Sequence, residues 1–335
     1  MKALVCLKPF EFAYRDVKLE ALKHDHVLLR IRRIGICGTD LHAFEGTQPF
    51  FSYPRILGHE LAADVYDWNG VKPQVGERAT FIPYFNCGTC IACRSGKPNC
   101  CATLNVCGVH RDGGMVEYLQ VPADKLICSD LSYEELALLE PLAIGAHGVR
   151  RAQVQPGEFV LVVGAGPIGL GTMEFAAIAG GRVIAMDVNE DRLAFCRDRI
   201  RMPFTVNASD PKMPDIIREI TQGDMPTVVI DATGNLRAIE KSFELIAHGG
   251  RFVLVGLQRD RISVLHPEFH KREATLMSSR NATREDFDTV MSAMHRRQIT
   301  PTTYITHELQ FDELADRFQT LLDPQSRVIK AMVSM

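Results

Sequence analysis

Four cysteines stand at Cys87-x2-Cys90-x2-Cys93-x7-Cys101. Two-residue gaps let one turning backbone aim several sulfurs at a common point, and four thiolates suit a tetrahedral Zn²⁺ with Zn–S near ~2.3 Å. Such a site has no open position, so the spacing predicts a structural ion. An iron–sulfur cluster is the competing chemistry for the same donors, and Cys100 is a rival for the fourth place. A second set is dispersed: Cys37-Gly38-Thr39-Asp40-Leu41-His42, then Gly58-His59-Glu60, then Glu140 before Pro141. Singly these read as a core thiol, a buried imidazole and surface acids, Glu140 at a helix stop. Together they offer one thiolate, one imidazole and one or two carboxylates, a donor set for zinc with room for water or substrate.

A third constellation is Gly164-Ala165-Gly166-Pro167-Ile168-Gly169, directly after the apolar run Phe159–Val163 and opening a helical stretch from Ile168 to Ala179. The first glycine allows the tight turn, the second a close approach of backbone to a pyrophosphate, and the third close helix–strand packing. The helix N-terminus offers free N–H groups to the phosphates. Asp187 follows 23 residues after Gly164, at the end of the next strand. An acid there hydrogen-bonds ribose hydroxyls and repels a 2′-phosphate, which favours NAD over NADP. Arg192, five residues on, pulls the other way.

These groups need elements to hold them. Residues 1–140 mix short alternating strands, such as Val27–Ile31 and Glu117–Pro122, with Gly/Pro punctuation, which reads as a strand-rich domain. From 159 the pattern changes to buried strands (Phe159–Val163, Arg182–Met186, Thr227–Ile230, Arg251–Val255) alternating with helices such as Arg237–Ala247. That alternation specifies a parallel sheet covered on both faces. A helix over Glu285–His295 and a last strand over Arg327–Val333 make a tail too short for a third domain, so it is expected to return to the first. The chain has 335 residues, a net charge of −3 and no apolar run approaching the ~20 residues of a membrane span. Charge gives no case for nucleic acid, and no export signal opens the chain, so a cytoplasmic protein is expected.

In this order the motifs Gly35-Ile36-Cys37-Gly38-Thr39-Asp40-Leu41-His42, Gly58-His59-Glu60, the four-cysteine lobe and the Gly164–Gly169 turn resemble the zinc-dependent medium-chain dehydrogenase/reductase family. Within it the chain is similar to the sorbitol, galactitol, L-threonine and sugar-acid branch. The resemblance covers essentially the whole chain. It implies an α/β plus β fold: a GroES-like barrel catalytic domain over 1–142, an inserted Rossmann doubly wound parallel sheet over 143–279, and a return to the first domain over 280–335. It also implies two zinc ions per chain, one catalytic and one structural, with NAD, in a homodimer or homotetramer. Cys37 and His59 would be catalytic-zinc ligands, and Glu60 and Glu140 would share the remaining positions. Thr39 would hydrogen-bond the reacting alcohol, His42 would end a proton relay, and Asp40 would orient His59. Cys87, Cys90, Cys93 and Cys101 would hold the structural ion, with Asn99 two residues before the last cysteine favouring Cys101 over Cys100. Gly164, Gly166, Pro167, Ile168, Gly169, Asp187 and Arg192 would meet the cofactor.

The segment Cys107-Gly108-Val109-His110-Arg111-Asp112-Gly113-Gly114 resembles L-galactonate, L-gulonate and L-idonate 5-dehydrogenases. The resemblance implies oxidation of a secondary alcohol on a polyol or sugar acid, foremost an aldonate at C5, with hydride passing to nicotinamide. His110, Arg111 or Arg280 would meet substrate, Arg111 as a carboxylate partner. Phe50, Phe51 and Tyr53 form an aromatic cluster that lines the same cleft or fills core. The alternatives are an L-threonine 3-dehydrogenase, a neutral polyol dehydrogenase, and a regulatory protein binding NAD(H) or a sugar acid on a retained scaffold. A zinc-free NADPH quinone reductase is opposed by the cysteine lobe and Asp187.

Overall fold

The computed structural model describes residues 1–49, 51–68 and 73–335; Phe50 lies outside the described residues. The chain forms two compact units, Met1–Glu140 with Met294–Met335, and Pro141–Ala293.

The first unit is a GroES-like barrel. Its main sheet runs Leu126–Cys128, Arg78–Phe81, Glu60–Trp68, His26–Ile36, Lys330–Ser334, Ile305–Gln310, with Tyr118–Pro122 also on His26–Ile36. Period-two side-chain alternation puts Val27, Leu29 and Ile31 in one core, with Leu29 opposite Val65 and Ile31 opposite Ala63 of the neighbouring strand, while Arg30 stays exposed. The tail returns as the strand Lys330–Ser334, antiparallel to His26–Ile36 with Met332 opposite Gly35. Helix Gly38–Glu45 leaves directly from the end of His26–Ile36 and carries Thr39, Asp40 and His42.

The second unit is a doubly wound parallel sheet. Its strands lie in the order Phe204–Asn207, Arg182–Asp187, Phe159–Val163, Val228–Asp231, Arg251–Leu254, Thr275–Ser278, which is 3-2-1-4-5-6 in chain order. Val160, Leu161 and Val162 are wholly buried, as a strand covered on both faces requires. Order reverses between Phe159–Val163 and Val228–Asp231, the switch point at which such sheets bind ligands beyond their carboxyl ends. The Gly164 turn sits there.

Two expectations are corrected. The helix does not stop before Pro141: it runs over Tyr133–Ala152 with Pro141 inside it, so Glu140 is a helical, buried side chain and not a surface acid. Residues 280–293 group with the second unit instead of starting the return at 280. The reason is a buried ion cluster. Asp286 Oδ2 lies 2.8 Å from His147 Nδ1, and Arg150 Nε donates to Asp286 Oδ1 at 2.8 Å. Burial alone would raise the Asp286 pKa, but the hydrogen bonds from His147, Arg150 and Thr283 outweigh it and hold the carboxyl far below its ordinary range. Phe287 and Val290 add apolar contact, both fully buried.

Candidate functional site

The four sulfurs of Cys87, Cys90, Cys93 and Cys101 lie within 4.8 Å of one another. Cys90–Cys93 and Cys87–Cys101 are both 3.5 Å apart. A tetrahedron with Zn–S near ~2.3 Å has edges of roughly 3.8 Å, so the lobe matches one ion and is too tight for a multi-iron cluster. Backbone N–H groups of Cys87, Cys90 and Ala102 donate to Cys101, Cys87 and Cys90 Sγ. Hydrogen bonds led by Thr89 pull Cys87 down to about 5, and those of Ala102 and Cys93 lower Cys90. Cys87 is thus ready as a thiolate at neutral pH. Burial raises Cys93. Cys100 is exposed and outside the set, while Cys101 is buried within it.

The dispersed set also converges. Donor atoms of Cys37, His59 and Glu60 lie within 4.8 Å of one another. Cys37 caps helix Gly38–Glu45, His59 immediately precedes the strand Glu60–Trp68, and Glu60 begins it. Asp40, fully buried, joins these segments: its Oδ2 accepts the Cys37 N–H at 2.9 Å and its Oδ1 the Gly58 N–H at 3.1 Å. His59 Nδ1 stands 3.9 Å from Asp40 Oδ1, within ion-pair reach, and has no hydrogen-bond partner. Both Asp40 oxygens are spent on backbone, so this acid positions the ligand-bearing chain segments.

The electrostatics of the pocket call for a cation. Burial would push His59 down, yet the charges of Cys37, Asp40 and Glu140 hold it well above its ordinary value. An orphaned buried imidazole nitrogen, a thiol and the Glu60 carboxylate within ligand reach fit a divalent zinc-type ion. Burial raises the pKa of Glu140, with His59 acting against it and Glu60 with it. Tyr84 donates its hydroxyl to Glu140 Oε1.

Two partners escaped sequence reasoning. Lys330 Nζ lies 2.7 and 2.6 Å from the two Glu60 oxygens and 3.1 Å from the Ile36 carbonyl, wholly buried. A single lysine inside the apolar run Val328-Ile329-Lys330-Ala331-Met332-Val333 was its only signal, because lysine is almost never buried without a partner. Gly35 makes the space: a Cβ there would meet Glu60 Oε2 at 2.2 Å. Tyr84 gave no signal among the aromatics around it.

Other expected residues fall at different places. Thr39 is half-buried on the first helical turn, one residue from Asp40. His42 is exposed, 3.2 Å from Thr47 Oγ1 and 3.4 Å from Glu45. The His110 ring accepts the Val106 N–H at 3.1 Å, and Arg111 lies 4.9 Å over the ring of Phe85. Arg280 is exposed just past Thr275–Ser278, in the second unit.

In that unit Gly164 has φ 101°, and a Cβ on Gly169 would lie 1.8 Å from the Gly164 carbonyl oxygen. Only glycine satisfies either position. A Cβ on Gly166 would meet nothing within 4 Å, the open space a pyrophosphate needs at the N-cap of helix Pro167–Ile178. Asp187, buried at its strand end, accepts the Ala165 N–H at 2.7 Å and the Asn189 N–H at 2.9 Å, with Arg192 Nη1 3.9 Å away. The turn and the acid are thus one hydrogen-bonded unit, shaped for a dinucleotide.

Comparison with known proteins agrees with this chemistry. Residues 23–130 match the alcohol dehydrogenase GroES-like domain and residues 167–296 the zinc-binding dehydrogenase family. The chain is 41% identical to an L-galactonate-5-dehydrogenase of Escherichia coli K12 over 100% of its length and 99% of that protein's. It is 31% identical to a sorbitol dehydrogenase of Bacillus subtilis, covering 77% of this chain and 75% of the other. An Escherichia coli CFT073 alcohol dehydrogenase solved with NADH superposes with TM-score 0.92 at 29% identity, over 100% of this chain and 99% of that one. Among the described residues no helix is long and apolar enough to cross a membrane.

Proposed function

We propose, from the premise that this chain belongs to the zinc-binding alcohol dehydrogenase family, that it is an NAD-linked dehydrogenase of sugar acids. Its reaction is oxidation of a secondary hydroxyl, foremost an aldonate at C5, to the keto acid. The observation that carries this reading is the donor set of Cys37, His59 and Glu60, one thiol, one imidazole and one carboxylate, with Glu140 close enough for its charge to act on His59. Carboxylate oxygen makes a harder, more polar site than a second thiolate, which suits a hydrated polyol better than an apolar alcohol. The full-length likeness to an L-galactonate-5-dehydrogenase supports the acid end of the substrate.

Cys37, His59 and a carboxylate from Glu60 or Glu140 would hold one zinc, and the cysteine lobe would hold a second, structural one. When bound, the first ion supplies Lewis acidity that brings an alcohol hydroxyl's pKa toward neutrality. The chain does the rest. Thr39 Oγ1 would accept the hydrogen bond of the substrate hydroxyl and release its own proton outward as it takes the substrate's, and His42, at the solvent side beside Thr47 and Glu45, would receive that proton by way of water. Helix Pro167–Ile178 receives the pyrophosphate at its N-terminus, and Asp187 receives ribose hydroxyls. NAD then supplies the hydride acceptor.

The test is a set of initial rates, read as NADH absorbance, for wild type on L-galactonate, L-gulonate, L-idonate, sorbitol, galactitol and L-threonine, with NAD⁺ and NADP⁺. An aldonate should give the highest kcat/KM, and NAD⁺ should be the better acceptor. Preference for sorbitol, galactitol or threonine over every aldonate ends the sugar-acid reading. Equal kcat/KM with both cofactors ends the NAD reading and points to Arg192. Cys87→Ser separately should leave one zinc per chain and lower thermal stability more than the turnover of the protein that survives. A Cys87→Ser protein that keeps two zincs contradicts the closed lobe.

A further inference from the structure

The two carboxylates of the site have unlike partners. Glu60 is met at both oxygens by Lys330, a full positive charge that cancels its own. Glu140 is met by a phenol: Tyr84, 4% exposed, donates its hydroxyl to Oε1. A buried tyrosine hydroxyl needs a partner, and a neutral donor orients a carboxylate without cancelling its charge. A divalent ion beside Cys37 and His59 therefore meets at Glu60 a carboxylate already ion-paired at both oxygens with Lys330, and near by at Glu140 one hydrogen-bonded by a neutral phenol.

The backbone of Tyr84 is held as firmly as its side chain. Tyr84–Phe85 pairs antiparallel with Asn105–Val106, Tyr84 opposite Val106. These two short strands flank the cysteine lobe, one ending two residues before Cys87 and the other starting four residues after Cys101. Lys125 Nζ donates to Asn86 Oδ1 at 2.8 Å and Asn86 Nδ2 to Cys93 Sγ, which ties the next residue into the lobe. Glu140 itself lies within the helix Tyr133–Ala152, and its carboxylate is held by a residue 56 positions away.

We propose that Tyr84 is a positioning residue that holds Glu140 in place as the charged carboxylate donor toward the ion at Cys37 and His59. The proposal rests on the reading of that cluster as a metal site and not on any substrate. Outer partners of metal ligands typically carry about 10–100-fold in metal affinity, and the hydroxyl of Tyr84 falls in that class.

The experiment uses the full chain with cobalt as the probe at the Cys37–His59 site, where visible bands report ligand geometry. Affinity comes from competition with a chelator. Tyr84→Phe keeps the ring and removes only the hydroxyl. It should weaken cobalt at this site by about 10–100-fold and shift its visible bands, with metal in the cysteine lobe retained. Glu140→Gln should weaken cobalt as well, and adding Tyr84→Phe to it should change little further, because the hydroxyl acts through that carboxylate. A Tyr84→Phe protein with wild-type cobalt affinity and spectrum overturns the proposal, as do fully additive losses in the double variant. Should Tyr84→Phe fail to fold, wild type and Glu140→Gln suffice. Metal addition should perturb a tyrosine ultraviolet difference band in wild type and not in Glu140→Gln, and the same band in both proteins overturns the proposal. No readout involves a substrate, so failure here leaves the aldonate reading to its own assay.

Discussion

Replacing His59 with alanine is expected to lower kcat by about a thousandfold or more while the far- and near-ultraviolet circular dichroism stays close to wild type. Lewis-acid assistance is worth several kcal/mol, and about 1.4 kcal/mol corresponds to a decade in rate. The imidazole is one of three convergent donors and has no hydrogen bond at Nδ1, so its loss removes a ligand without breaking a structural contact there. The frame around it is held by Asp40, which pins the Cys37 and Gly58 N–H groups from below. Zinc analysis should fall from two ions per chain to one, with the cysteine lobe still loaded. Near-normal turnover by His59→Ala would refute the assignment of the catalytic ion to this cluster.

What the sequence revealed and what it hid divide by chain separation. The cysteine lobe spans 15 residues, from Cys87 to Cys101, and the phosphate turn six, from Gly164 to Gly169. In both, backbone geometry over a few residues decides where the donors point, so spacing alone carries the information. The parallel sheet was legible for a related reason: strands buried on both faces read as continuous apolar runs, and Phe159–Val163 appears with the bounds its composition drew. The groups that tune the site are chosen by tertiary pairing. Lys330 reaches Glu60 across 270 residues and Tyr84 reaches Glu140 across 56. His147 finds Asp286 across 139, and with it the second unit captures the start of what had been read as tail. Pro141 misled for a local reason. Proline disfavours a helical residue before it, but packing of the long helix Tyr133–Ala152 overrides that preference and puts Glu140 inside.

Lys330→Met is expected to destabilise the protein by about 3–5 kcal/mol, the range for removing one partner of a buried ion pair. The cost comes from the partner left behind. Glu60 is fully buried, receives Lys330 at both oxygens, and borders Cys37 and Glu140, so a Glu60 left ionised would stand among like charges. Burial would lower the Lys330 pKa, but Glu60 and Cys37 outweigh it and raise the value above that of a free lysine. A pKa raised on folding contributes stability that is fully present below the unfolded value, about 10.4, and is lost only as pH rises through the folded one. The pair is therefore intact throughout the neutral range, and the loss in Lys330→Met should appear undiminished at pH 7. Glu60→Gln in the Lys330→Met background should recover part of it, since a neutral amide removes the stranded charge. Denaturant titration checks both variants. A single Lys330→Met whose stability lies within about 1 kcal/mol of wild type, the range of an exposed pair, would show that Glu60 is not anchored by this lysine. The strand that the tail lends to the barrel would then contribute packing but no charge to the site.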